Sequence, residues 1–136
     1  MALAEKSTVK TVTFIAGEDL SDRSKLYVPL KRGTGENEVV QATAPTDNII
    51  GFLYSLGKKG TPINVTRDNN YIKVIAHDTS ITAKGDKVML CPAVSSLCRG
   101  VVKLSGSTQD CLGEAEEVPT VAGNFILIHF RKTPRI

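Results

Sequence analysis

The side chains in this chain that could do chemistry are few, and their spacing keeps them apart. There are two histidines. His77 stands in Ala76-His77-Asp78-Thr79, a turn-like context just past an apolar run, and His129 alternates with apolar residues inside the last such run. A histidine on an alternating strand is more often a packed or edge side chain than a base. No serine occupies a Gly-x-Ser-x-Gly elbow, the sharp strand-to-helix turn that exposes a nucleophile. A Ser-His-Asp or Cys-His site drawn from distant loops is recognised by geometry alone, and nothing local points to one.

The other reactive types read the same way. Three cysteines, Cys91, Cys98 and Cys111, are an odd number without a Cys-x-x-Cys pair. That argues against a full disulfide framework and against zinc, and favours reduced thiols in a cytosol-made protein. Gly33-Thr34-Gly35 leads into a strand, whereas a phosphate loop needs a helix whose N-terminus points at the anion. Glu114-Ala115-Glu116-Glu117 reads as a charged strand end. Lys58-Lys59 between Gly57 and Gly60 resembles the hairpin-tip lysine of biotinyl and lipoyl domains, but lacks their Met-Lys-Met or Asp-Lys-Ala setting. The expectation is a protein without catalysis, cofactor or metal, whose function lies in its surfaces.

Charge narrows the partners. The net charge is +3, aromatic residues are 5% and tryptophan is absent. That is a mildly basic chain without the footprint of a nucleic-acid binder. The alternative is a small barrel whose Tyr27, Tyr54 and Tyr71, near Arg67, Lys73 and Lys25, stack single-stranded bases. The basic pairs Lys31-Arg32, Lys58-Lys59 and Arg131-Lys132 read first as solvated turn or edge residues. No apolar run approaches the roughly 18 residues of a membrane span, and Met1 to Lys10 has no apolar signal-peptide core.

The elements that must position these residues are strands. Short apolar runs separated by turn clusters every roughly 8 to 15 residues are an all-β signature. Thr11-Val12-Thr13-Phe14-Ile15 opens the set. Lys25 to Leu30 follows with Leu26, Val28 and Leu30 on one face, and Pro29 marks an edge or a bulge. Glu38 to Ala42 returns after the turn Gly33 to Asn37. Asn48 to Tyr54 is the most apolar run and should be central, with Gly51 at a bulge or a close backbone approach. Pro62 to Arg67 and Tyr71 to Ile75 read as a hairpin around Asp68-Asn69-Asn70. Thr82 to Asp86 turns into the strand ending at Leu90, with Gly85 for the bend and Asp86 accepting a backbone N–H. Val101 to Leu104 is a further strand. Asn124 to Phe130 is the last, with Phe125, Leu127 and His129 facing opposite to Ile126, Ile128 and Phe130. Only Ala16 to Lys25 offers a helical turn, capped by Ser21 with Asp22 in its first turn. The fold expected is all-β: a single small barrel or sandwich of short antiparallel strands over residues 13–132. An extended N-terminal arm, 1–12, precedes it and a C-terminal tail, 133–136, follows.

The order of segments carries a resemblance. Ala16-Gly17-Glu18-Asp19-Leu20-Ser21 runs into Leu26-Tyr27-Val28. Asp47-Asn48-Ile49-Ile50-Gly51-Phe52-Leu53 comes next, then Ile72-Lys73-Val74-Ile75-Ala76 and Ile81-Thr82-Ala83-Lys84-Gly85-Asp86-Lys87-Val88. Leu112-Gly113-Glu114-Ala115-Glu116 and Gly123 before a final strand close the series. This succession, over roughly residues 14 to 130, resembles the capsid decoration, or head cement, proteins of tailed bacteriophages. It departs from them in the longer excursion from Cys91 to Asp110. The resemblance implies a virion protein on the outer surface of an icosahedral capsid, made in the host cytoplasm. Such a protein stabilises the expanded shell by bridging subunits, with the major capsid protein as partner and a homotrimer as its self-association. It implies no enzyme activity, no membrane and no direct contact with nucleic acid. The arm residues Thr8, Val9, Lys10, Thr11 and Val12, with the bases Lys31, Arg32, Lys58, Lys59 and Arg131, are then the candidate capsid or subunit contacts.

Overall fold

The computed structural model describes residues 10–44, 47–67, 70–91, 99–104 and 111–133. These residues form ten strands and one 3-10 turn. The strands are β1 (Thr11–Ala16), β2 (Pro29–Arg32), β3 (Glu38–Gln41), β4 (Gly51–Leu53), β5 (Pro62–Thr66), β6 (Asn70–Ile75), β7 (Lys87–Leu90), β8 (Val101–Lys103), β9 (Cys111–Ala115) and β10 (Phe125–Thr133). The all-β expectation holds, with more architecture than one barrel. The first five strands close on themselves in the order β1-β3-β2-β4-β5, and the last five form a second sheet in the order β6-β10-β9-β7-β8. All pairings are antiparallel except β1 with β3. No helix among the described residues is long and apolar enough to cross a membrane.

Each region has its own core, built by alternation along its strands. Phe14, Leu30, Val39, Leu53, Ile63 and Val65 fill the barrel. Ile72, Val74, Val88, Leu112, Ile126, Ile128 and Phe130 fill the inner face of the second sheet. The cores interlock. Phe52 of β4 points out of the barrel into the second core, where its ring meets Phe130 edge to face at 5.1 Å. Ile75 of β6 belongs in turn to the barrel's cluster.

Several local expectations are met for stated reasons. β4 lies between β2 and β5 and is buried throughout, as its continuous apolar run requires. Gly51 marks a close approach: a Cβ there would stand 2.1 Å from the Thr66 carbonyl oxygen. Asp86 accepts from the backbone N–H groups of Thr82 and Ala83, and Gly85 takes the positive φ of +96° that the bend needs.

Others are corrected. Pro62 to Ile75 is not a hairpin. β5 already has β1 and β4 as neighbours in the closed barrel, and β6 pairs with β10 instead. Closure leaves β5 no free side, so the chain crosses to the second sheet after Arg67. The strand expected from Lys25 begins only at Pro29. Before it, Arg23–Lys25 is a 3-10 turn capped by Asp22 rather than by Ser21, and Tyr27 takes a φ of +67°. Pro29 opens a strand paired on both sides, and its missing donor falls at the strand's first residue, where it is tolerated. β1 includes Thr11 and Val12, which pair with Thr66 and Val65, so the barrel takes in the last two residues of the expected arm. Of the Cys91 to Asp110 excursion, Cys91 and residues 99–104 are described: the Cys91 N–H donates to the Gly100 carbonyl, and β8 pairs back onto β7.

Candidate binding face

The outer side of β6 and β10 carries the residues that alternation leaves outside the second core. The antiparallel register sets Tyr71 opposite His129, Lys73 opposite Leu127, and Ile75 opposite Phe125. Cross-strand neighbours on one face touch, and Tyr71 and His129 do so as stacked rings, 4.4 Å between centroids and 8° from parallel. The barrel adds two more rings. The turn before β2 is fixed by the Tyr27 N–H donating to the Leu53 carbonyl, and it lays Tyr27 edge to face on Phe125 at 5.4 Å. Tyr54, just past β4, is held by its N–H to the Asn64 carbonyl. Tyr27, Tyr54 and Tyr71, on separate segments, therefore line one cavity of about 280 Å³, together with Thr66, Ile72, Lys73 and Leu127. Tyr54, Tyr71 and Phe125 stay 45%, 56% and 51% exposed. Large rings half in water and gathered on one face mark an interaction surface rather than scattered surface apolarity.

A second concavity of about 230 Å³ lies on the other side of the Tyr27–Phe125 contact. Arg23, His77 and Arg99 line it together with Ser24, Ile75 and Phe125. Arg23 comes from the 3-10 turn, His77 from the end of β6, and Arg99 from the segment entering β8. The Arg99 guanidinium donates to the Ser24 carbonyl at 3.4 Å, which ties the last segment to the first. Asp22 caps the turn by accepting from the Ser24 N–H at 2.9 Å. Its carboxyl is held below the usual carboxylate range by that backbone bond and by the Ser24 side chain, against a small opposing effect of burial, with Lys25 and Arg99 adding their charge. Asp78, beside His77, is lowered in the same way, chiefly by the Ser80 side chain. Among the described residues no acidic side chain lines either concavity.

The residues expected as contacts sit elsewhere and apart. Thr8 and Val9 lie outside the described residues. Lys10 precedes β1 and exchanges hydrogen bonds with the Asn70 side chain, its N–H donating at 3.2 Å and its carbonyl accepting at 3.3 Å. Thr11 and Val12 pair within the barrel, and Val12 remains 45% exposed. Lys31 is committed to Thr43 at 2.7 Å and Asp47 at 3.3 Å. Arg32 lies over the Phe14 ring at 5.4 Å, with Arg67 at 5.8 Å from the same ring. Lys58 and Lys59 are exposed in the turn closing onto Ala16, at the far end of β1 from Lys10. Arg131 pairs with Glu114 at 3.1 Å on the second sheet. The fold does not gather these bases into one patch. What sequence reasoning missed is the Arg23, His77 and Arg99 convergence. The outward Phe125, Leu127 and His129 were readable from alternation.

Among the described residues no group of three or more His, Cys, Asp or Glu side chains is placed to hold a metal. Cys91 is a buried thiol and Cys111 a half-buried one, while Cys98 lies outside the described residues. No protein-family model matches the chain, and no curated protein is significantly similar to it.

Proposed function

We propose that this chain is a structural virion protein that binds the outer surface of an icosahedral phage capsid. As a homotrimer it bridges neighbouring subunits of the major capsid protein and so stabilises the expanded shell. The observation that carries the reading is the half-exposed aromatic face drawn from both regions, on an all-β scaffold whose segments run in the order of head cement proteins. A protein that stabilises an assembly needs only to bind the assembled state better than its alternatives. Many copies bound together let each contact be modest. An extended terminal segment is a natural addition, because it can pair with a neighbour's strand edge, and the residues ahead of Lys10 are the candidate arm.

Cryo-electron microscopy of the parent particle tests this directly: the chain should appear on the shell exterior, and its absence there removes the proposal. Deleting residues 1–9 should weaken shell binding and leave thermal unfolding nearly unchanged. Extending the deletion through Val12 should lower stability as well, because it takes two residues of β1 from the barrel.

The convergence of Tyr27, Tyr54 and Tyr71 beside Lys73 favours a second reading, a barrel that stacks single-stranded nucleic acid on its rings. Its signature is binding to an oligothymidylate that weakens steeply as salt rises. Binding that is absent at low salt removes it.

A further inference from the structure

The geometry points to the concavity between Arg23, His77, Arg99 and Phe125 as the acceptor for a carboxylate carried on an extended segment of the partner protein. The residue beside that carboxylate is an apolar or aromatic one seated against Tyr27 and Tyr54. This deepens the shell-binding reading and rests on it for the partner's identity.

Charge complementarity carries the argument. Arg23, His77 and Arg99, from three separate chain segments, line one hollow, and none of its described lining residues is acidic. Its volume, about 230 Å³, suits a side chain rather than a domain edge. Arg99 is positioned by its bond to the Ser24 carbonyl, which leaves the rest of its planar fork for a ligand. Ile75 and Phe125 give the hollow an apolar wall, so a carboxylate bound there is partly desolvated and its hydrogen bonds are stronger than in open water.

Two features select a protein carboxylate over a nucleic acid or a phosphate. First, the cations are segregated: Arg23 and Arg99 sit in one hollow, and the three tyrosines sit in the other with Lys73 as their charged neighbour. A single strand repeats a charge at every nucleotide and matches bases interleaved with cations. A peptide places one charge and one apolar group side by side. Second, Asp22 and Asp78 are the chain neighbours of the lining residues Arg23 and His77, and Asp22 caps the turn that carries Arg23. These two fixed negative charges flank the hollow and disfavour a dianion more than a monoanion. The edge-to-face pair Tyr27–Phe125 stands between the two hollows, Phe125 lining one and Tyr27 the other, so a ligand that fills both passes over these rings.

The test is an NMR titration of the intact protein with four probes: N-acetyl-Glu-Phe-amide, its Gln-Phe counterpart, inorganic phosphate and oligothymidylate. The Glu-Phe probe should shift the backbone amides of Ala76, His77 and Gly123 saturably. The Gln-Phe probe should bind about tenfold more weakly, the size expected for losing a charge-assisted hydrogen bond. Arg23→Ala combined with Arg99→Ala should weaken the Glu-Phe probe by a similar factor, with the unfolding midpoint only slightly lowered, because both side chains are exposed and the one bond lost is the long Arg99 contact with the Ser24 carbonyl. Equal binding of the Glu and Gln probes overturns the proposal. Tighter binding of phosphate or oligothymidylate at the same amides overturns it in favour of a phosphate or nucleic-acid site. A shell-binding assay separates the two readings. If the double variant binds shells as well as the parent protein, the acceptor is wrong and the shell reading stands. If the parent protein binds no shell, the shell reading fails, and the dipeptide titration still decides the carboxylate site.

Discussion

The barrel and the second sheet contain five strands each, and they differ in what they leave open. The barrel is closed, so each of its strands is paired on both sides. The second sheet ends in β6 and β8, whose ends meet through a single parallel bridge, Ala76 to Val101, with the His77 N–H donating to the Val101 carbonyl. Closure removes sheet edges, and an open sheet keeps them. The contrast explains where the candidate binding face lies. The closed unit presents Tyr27 and Tyr54 on fixed backbone, and β6, the outermost strand of the open one, presents Tyr71 and Lys73 beside them. Neither unit alone makes the tyrosine-lined hollow.

The largest predicted effect asks whether the two regions are thermodynamically one. Phe52 belongs to a barrel strand and packs in the second core against Phe130. Phe52→Ala should destabilise the protein by about 3–5 kcal/mol, the range for truncating a fully buried ring. Amide hydrogen exchange should show barrel and second-sheet amides losing protection together. Loss confined to β6–β10 would show that the regions unfold separately and that the interlocked cores are not cooperative.

The next effect contrasts two glycines. Gly60, in the turn at the barrel's end, has a φ of +88° and open space where a Cβ would stand. Gly113, within β9, has a φ of +137°, and a Cβ there would come within 1.9 Å of the His129 carbonyl oxygen. Gly60→Ala should lower stability by about 1 kcal/mol, the backbone penalty alone. Gly113→Ala should lower it by more, because β9 and β10 must separate to admit the methyl group. Urea midpoints of the two variants decide this. Equal losses would show that β9 shifts freely against β10.

The same contrast separates what could be read in the sequence from what could not. Alternation was legible wherever a strand has one wet face: Ile126, Ile128 and Phe130 point inward and Phe125, Leu127 and His129 outward, as their spacing required. Turn chemistry was legible at Asp86 and Gly85, since the acceptor and the bend lie within one local segment. Partnership was not. Tyr71 to Ile75 has the pattern of a hairpin return, but closure of the barrel had already used both sides of β5, and closure is a property of all five strands together. The candidate face was hidden for the same reason. Tyr27, Tyr54 and Tyr71 are far apart in the chain, and only the crossing from barrel to second sheet brings them to one hollow. Arg99 gave no local signal, because its role depends on the Ser24 carbonyl, which is remote in sequence.

The smallest effect compares one turn aspartate from each region. Asp47 accepts from the N–H groups of Thr43 and Ala44 and pairs with Lys31 at 3.3 Å. Burial raises its carboxyl, and those backbone bonds with Lys31 outweigh this and hold it below the usual range. Asp86 is lowered mainly by the N–H groups of Thr82 and Ala83, with Lys103 more distant at 3.9 Å. Both carboxyls titrate lower in the folded chain than in the unfolded one. Their stabilisation is therefore complete above the ordinary carboxylate value near pH ~4 and fades as pH falls through the lower folded value. Asp47→Asn should lower stability at pH 7 by about 0.5 kcal/mol, within the range for an ion pair at the protein surface. That deficit should shrink toward zero as the solution is acidified well below pH ~4. Asp86→Asn should follow the same acid course. Added salt should change the Asp86 deficit little, because backbone N–H groups rather than a lysine hold that carboxylate. The Asp47 deficit should fall more with salt, since part of it is the Lys31 pair. A salt response of equal size in the two variants would mean that both turns depend on the lysine to the same degree.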